Sequence, residues 1–254
     1  MALLVTLLTD FGTADGYVAE MKGELLTHAP DAVLVDVSHD IRAHDVVQAR
    51  DTVARYWQRF PQGTVHIIVV DPGVGTDRAA LAVCADHRYL IAPDNGVLTA
   101  ALQFPGAQVV RLIIPAGASA TFHGRDVFAP VAAALLIGTP LEQVGVAFPN
   151  PILLPVPAPA RGADGSLRGE VVSIDRFGNA ITNIDDVPAG AAQCEVAGHT
   201  LQVCRTYGDV AVGTAVALRG SSGHIEVAVR DGSAAALLSL QGGAPVTIRP
   251  VATS

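Results

Sequence analysis

In the first half of the chain, runs of apolar residues are each closed by an acid. Residues 3–9 lead into Asp10-Phe11-Gly12, the β-branched stretch 65–70 ends on Asp71-Pro72-Gly73, and residues 89–92 end on Pro93-Asp94-Asn95-Gly96. Apolar runs without strict alternation suit strands buried on both faces of a parallel sheet. The prolines and glycines beside each acid stop strand or helix and predict tight loops. Between these runs the period changes. Residues 18–27 read as a helix closed by Pro30, residues 32–37 as a strand, and residues 45–60 as a second helix with apolar positions at Val46, Val47, Ala49, Val53, Ala54, Tyr56 and Trp57. Further strands are expected at 79–83, 89–92 and 108–114, with a short helix at 96–102 and an apolar one at 128–137. This alternation predicts an α/β fold with a largely parallel central sheet over residues 1–150. Such sheets bind ligands at the carboxyl ends of their strands.

From residue 149 the pattern breaks. Pro149, Pro151, Pro155, Pro157 and Pro159, followed by Gly162 and Gly165, predict a stiff extended linker at about 151–165. Beyond it the helical period vanishes. Stretches 167–174, 195–204, 215–218, 224–229 and 245–251 read as short strands between Gly and Asp turns, so a smaller all-β, barrel-like domain is expected over 166–254.

Composition narrows the function. Half of the 254 residues are hydrophobic and 16% are charged, a core-rich globular chain rather than a disordered one. No apolar run approaches the roughly 20 residues of a membrane helix. The first residues lack a basic leader and a small-residue cleavage site, which reads as a cytoplasmic start. A net charge of −8 without a basic cluster argues against nucleic acid as a partner. Cys84, Cys194 and Cys204 are widely spaced and form no Cys-x-x-Cys pair, so they are expected as reduced thiols of a cytosolic protein.

The chain carries no phosphate-binding loop, no Gly-x-Ser-x-Gly elbow and no His-Glu-x-x-His motif. What remains is a set of acids at strand ends, with Arg78 returning seven residues after Asp71 and His123 in the segment Thr121-Phe122-His123-Gly124-Arg125-Asp126. A surface ion pair would explain the first two and a structural histidine the third. His39-Asp40 and His44-Asp45 offer a competing reading as ligands of a metal-dependent phosphohydrolase. Their five-residue spacing does not place both histidines on one helical turn, which leaves them more simply as surface polar residues.

Six segments together are similar to one family. They are Thr9-Asp10-Phe11-Gly12, Val70-Asp71-Pro72-Gly73-Val74-Gly75 with Arg78, Ala92-Pro93-Asp94-Asn95-Gly96, Thr121 to Asp126, Asp175-Arg176-Phe177-Gly178-Asn179, and Ser221-Ser222-Gly223. In this order they resemble the adenosine-forming S-adenosyl-L-methionine (SAM) hydrolases, also called SAM hydroxide adenosyltransferases, relatives of fluorinase and chlorinase. The resemblance implies hydrolysis of SAM to adenosine and L-methionine without metal or cofactor. It also implies homotrimers whose active sites lie between subunits, with the β domain completing the SAM site. Asp71, Arg78 and His123 correspond to the set that holds and activates water, a set the halogenases replace. Asp10 corresponds to the acid on the ribose hydroxyls, and Asp175, Phe177 and Asn179 to residues around methionine and adenine. Ser221 and Ser222 match contacts at the methionine end, and Val229 an adenine contact. Phe11, Tyr17 and Asn95 are further candidates facing the substrate. A SAM- or adenosine-binding protein without turnover is the rival, and it would have no need of Arg78 and His123.

Overall fold

The apolar runs become strands of one seven-stranded sheet in the computed structural model, which describes residues 3–186 and 192–251. Its elements, in order, are β1 (Leu4–Thr9), α1 (Tyr17–His28), β2 (Val33–Ser38), α2 (Val46–Tyr56), β3 (Val65–Val69), β4 (Ala80–Ala85), β5 (Arg88–Pro93), α3 (Thr99–Leu102), β6 (Gln108–Leu112), α4 (Ala129–Leu136), α5 (Leu141–Val144) and β7 (Gly145–Ala147). The strand order is β2-β1-β3-β5-β4-β6-β7. The neighbours β2, β1, β3 and β5 pair in parallel, while β4, β6 and β7 join through antiparallel pairings.

Both faces of the sheet are covered. Side chains alternate along each strand. Val5 and Leu7 of β1, with Ile67 and Val69 of β3, pack against Met21 and Leu25 of α1 and Ala129, Ala132 and Ala133 of α4. The intervening Leu8 and Ile68, with Val70, face the opposite way and meet Ala49 and Val53 of α2, Trp57 and Ala101 of α3. Leu7, Leu8, Ile67 and Ile68 are completely buried, each contributing about 1.5–3 kcal/mol by removal of apolar surface from water. Burial on both faces is the reason these strands lack polar alternation. It also fixes register, because a one-residue slip would exchange the two faces.

The helices follow their own signals. Asp45 caps α2 by accepting a hydrogen bond from the Gln48 N–H at 2.8 Å. Helix α1 buries Val18, Met21 and Leu25, spaced to share one face, and ends before Pro30. Because β1, β3 and β5 run in parallel, Asp10, Asp71 and the pair Asp94-Asn95 all fall at one edge of the sheet.

The chain divides into two compact units, Met1–Pro155 and Val156–Ser254. The second contains β8 (Ala160–Arg161), β9 (Leu167–Ile174), β10 (Ala180–Thr182), β11 (Ala192–Val196), β12 (His199–Cys204), β13 (Ala215–Arg219), β14 (Ile225–Val229), α6 (Ala234–Leu237) and β15 (Pro245–Pro250). Strand order is β10-β14-β13-β12-β11-β15-β9, and pairing of β9 with β10 closes a seven-stranded barrel to which β8 adds at β9. Leu167, Val171, Cys194, Ile225, Val227 and Ile248 belong to its core.

One expected strand is corrected. Residues 195–204 are not continuous: β11 and β12 form a hairpin in which Val196 pairs with His199. The loop residues Ala197 and Gly198 have φ of 48° and 77°. Two left-handed residues give a type I′ turn, whose twist matches the strands it joins. Alanine in the first position hid that turn, and the three-residue β10 is too short to show a period.

Candidate active site

The loop after β3 is built to bring Arg78 back to Asp71. Val74 N–H donates to the Asp71 carbonyl at 3.2 Å, and Thr76 closes onto the Gly73 carbonyl through its N–H at 3.2 Å and its hydroxyl at 2.7 Å. Gly75 has φ +79°, and a Cβ there would stand 2.8 Å from the Ala120 carbonyl oxygen. Only glycine satisfies both conditions. Arg78 emerges just before β4 and grips Asp71 as a fork, Nε donating to Oδ1 at 3.0 Å and Nη2 to Oδ2.

His123 arrives from a distant stretch of chain. It precedes a π-helical turn, Gly124–Phe128, that leads into α4. A Cβ on Gly124 would lie 3.0 Å from Met21 Sδ and 3.4 Å from the Val69 methyls, so the small residue lets this turn settle against β3 and α1. The Nη2 of Arg78 lies 2.8 Å from His123 Nδ1. Guanidinium nitrogens only donate. Nδ1 is therefore the acceptor, and the neutral ring carries its proton on Nε2. Burial, followed by the Arg78 charge, pushes the His123 pKa below its ordinary value. The side chains of Asp71 and Arg78 are 6% and 10% exposed, so their pairing is little screened by water.

Around this triad stand the other residues of the sheet edge. Asn95 donates through Nδ2 to the Val70 carbonyl at 2.9 Å and accepts from Val97 N–H through Oδ1 at 3.2 Å. The first bond ties the end of β5 to that of β3, and the second closes the local turn after β5. Asp94, noted in the sequence only as a strand-end acid, is buried, and desolvation raises its pKa. Its Oδ1 accepts the Ile152 N–H at 2.8 Å. Asp10 Oδ2 accepts the His44 backbone N–H at 2.8 Å. Phe11, Tyr17 and Phe122 form a triangle of edge-to-face rings, with centroids 5.5–5.9 Å apart. Phe122 was not singled out, although it directly precedes His123. Arg125 covers its ring at 4.8 Å and is paired with Glu20 and Asp126.

The competing histidines have local duties. His39 is buried, with Nδ1 at 2.9 Å from Thr9 Oγ1 and Nε2 at 3.0 Å from Asp36 Oδ1, and Asp45 caps α2. Among the described residues, no three His, Cys, Asp or Glu side chains gather as a metal-ligand set.

In the barrel unit the remaining candidates lie on turns and one strand. Asp175 Oδ1 accepts the N–H groups of Phe177 and Asn179, both at 2.9 Å, and Oδ2 accepts Asn179 Nδ2 at 3.0 Å. This fixes the β9–β10 turn and leaves Phe177 74% exposed at its tip. Gly178 has φ +82°, and a Cβ would collide with Ser233. Ser221 and Ser222 occupy the turn between β13 and β14, whereas Val229 ends β14 within the barrel core.

Comparison with known proteins follows the same order along the chain. Residues 5–145 match the SAM hydroxide adenosyltransferase N-terminal domain and residues 169–247 its C-terminal domain. An (R)-S-adenosyl-L-methionine hydrolase of Thermus thermophilus is 40% identical, covering 96% of this chain and 98% of the relative. A fluorinase of Actinoplanes sp. is 31% identical over 71% of each chain. The crystal structure of an uncharacterized conserved protein from Thermotoga maritima superposes with a TM-score of 0.88 at 33% identity, covering 96% of this chain and 99% of that one. With both domain matches and full-length relatives at this identity, the chain belongs to the SAM hydroxide adenosyltransferase family.

Proposed function

We propose that the protein hydrolyses SAM to adenosine and L-methionine by attack of water at the 5′ carbon. The observation that carries this reading is the Asp71–Arg78–His123 network, buried at the carboxyl edge of the sheet. The leaving group is a sulfonium that departs as a neutral thioether, so no general acid is needed. The weak partner is water, and holding it in line near 3 Å accounts for several kcal/mol of the barrier.

The tautomer of His123 divides the labour. With Nδ1 committed to Arg78, the ring offers Nε2–H as a donor and is not free to accept the proton. Asp71 is then the base. Each of its oxygens takes one bond from Arg78 and keeps a second lone pair. As the water oxygen bonds to C5′, the C5′–S pair passes to sulfur, and a water proton passes to Asp71 and on to solvent. Arg78 orients Asp71, and His123 Nε2–H steadies the attacking oxygen.

Asp10 is assigned to the ribose hydroxyls, with Phe11, Tyr17 and Asn95 as further substrate-side candidates. Asp175, Phe177, Asn179, Ser221, Ser222 and Val229 are assigned to the methionine and adenine portions, as the family resemblance implies. The same reading includes a homotrimer with active sites at subunit interfaces, and a reaction needing neither metal nor cofactor. It places the enzyme in the cytoplasm, where the free thiols of Cys84, Cys194 and Cys204 fit a reducing compartment. Among the described residues no helix is long and apolar enough to cross a membrane.

The test is incubation of chelator-treated protein with SAM in water enriched in oxygen-18. Adenosine labelled at its 5′ hydroxyl, together with methionine, is the expected result. Retention of SAM without adenosine would replace the reading with a binding protein.

A further inference from the structure

Of the histidines in the two histidine-aspartate pairs, His44 alone is left without a role, and it acts on Asp10 through its backbone. His44 has φ +67°, a left-handed conformation uncomfortable for any residue with a Cβ. The surrounding turn holds it there. Asp45 N–H donates to the Arg42 carbonyl at 2.9 Å and Val46 N–H to the His44 carbonyl at 3.0 Å. Gln48 Oε1 accepts the Arg42 N–H at 2.8 Å, while the Asp45 carboxylate caps α2 and pairs with Arg42. Thus constrained, the His44 N–H donates to Asp10 Oδ2 at 2.8 Å. A second tie joins the same two loops: Gly12 N–H donates to the His39 carbonyl at 2.8 Å. His39 is in turn held between Thr9 and Asp36. The His44 side chain is exposed and takes no part in this frame.

We propose that His44 is a positioning residue whose backbone N–H, presented by a left-handed turn, fixes the Asp10 carboxylate so that its other oxygen meets the ribose diol of the substrate. This rests on the assignment of Asp10 to the ribose. A strained residue maintained by so many local bonds is characteristic of binding sites. One oxygen held by an N–H leaves the carboxylate a single rotamer and a directed remaining oxygen. The imidazole is incidental, so what matters at this position is an N–H and tolerance of positive φ.

The test uses full-length His44→Pro, His44→Val and His44→Gly. Proline lacks the N–H and cannot adopt φ +67°, valine resists that φ, and glycine accepts it freely. SAM and its 2′-deoxy and 3′-deoxy analogues serve as probes. The expected result is a rise in the KM for SAM of about tenfold for the proline variant, the size of one hydrogen bond to a charged group. The valine variant should be affected in the same direction, both with kcat little changed, and glycine should restore the parent KM. Discrimination between SAM and the deoxy analogues should shrink in parallel. An amide readout independent of turnover is the His44 N–H resonance, which should move on Asp10→Asn. Glycine behaving as badly as proline, or undiminished discrimination in the proline and valine variants, would overturn the proposal. Failure of the parent enzyme to discriminate against the deoxy analogues would instead remove the ribose role of Asp10 itself, with the His44–Asp10 bond still reported by the amide.

Discussion

The two units hold their candidate residues in different ways. In the α/β unit, Asp71, Arg78 and His123 come from two loops 45 residues apart and meet side chain to side chain. In the barrel, Asp175 and Asn179 bond to each other four residues apart, and Phe177 projects from the turn they fix. A network assembled by the sheet is buried and directional, suited to activating one small molecule. A turn stiffened by its own side chain is an exposed platform, suited to contacting a ligand. Chemistry should therefore fail when the first is touched, and affinity when the second is.

The sharpest test of that division is Asp71→Asn. It removes the proposed base and leaves Arg78 facing a neutral amide, and kcat/KM should fall about a thousandfold. Loss of a partner from this buried pair should also cost about 3 kcal/mol in chemical denaturation. Retention of full turnover would end the assignment of Asp71.

The α/β unit should also be the acid-sensitive one. His66 lies in β3 between the rings of Tyr56 and Phe60, with Nδ1 2.8 Å from Thr6 Oγ1, and burial pushes its pKa down to about 3. The unfolded chain therefore binds a proton near pH 6.5 that the folded chain refuses until much lower pH. Stability is full above about 6.5 and falls by a few kcal/mol as pH drops toward 3. Trp57, the single tryptophan, is buried in this unit and reports on it alone. Urea midpoints followed by its fluorescence should decline with acid, and His66→Gln should flatten the decline.

His123→Ala should lower kcat about a hundredfold while Asp71 and Arg78 stay paired. Because the pKa of His123 is lowered, the parent enzyme should keep its activity through pH 6.5 and lose it only below. That acid limb should be missing from the variant's profile.

Effects in the barrel should be smaller and of another kind. Asp175→Ala frees the β9–β10 turn and should raise the KM for SAM about tenfold, with kcat within about twofold. A collapse of kcat instead would erase the division between the units. Phe177→Ala should raise KM about threefold and leave thermal stability unchanged, because a side chain 74% exposed supports no core.

Much of this was legible in the sequence wherever one residue type forces one geometry. The run at 65–70, closed by Asp71-Pro72-Gly73, located a buried strand and its loop, and β3 spans Val65–Val69. Three-dimensional approach was not legible. Nothing local says that Gly75 must clear Ala120, or that Gly124 must clear Met21, for Arg78 and His123 to meet. The sequence marked Asn95 as an amide at a strand end, but not that its Nδ2 donates to the Val70 carbonyl at the end of β3. His44 read as a surface polar residue and its imidazole is exposed, but no local pattern showed that its N–H would reach Asp10. The hairpin at Ala197-Gly198 escaped because its first turn residue lacks the Asn or Asp that usually announces φ above zero.

Closure of the barrel bears on the order in which the chain is made. Every strand of the seven-stranded sheet has been synthesised once residue 147 has emerged, and all its partners precede it. The barrel cannot close so early. Leu167 in β9 pairs with Ile248 in β15, so the first long strand of that unit waits with an open edge until the last is translated. The unit that holds Asp71, Arg78 and His123 can thus be complete on the ribosome while the other is still an unclosed ribbon, which makes the barrel the part of the nascent chain in need of protection.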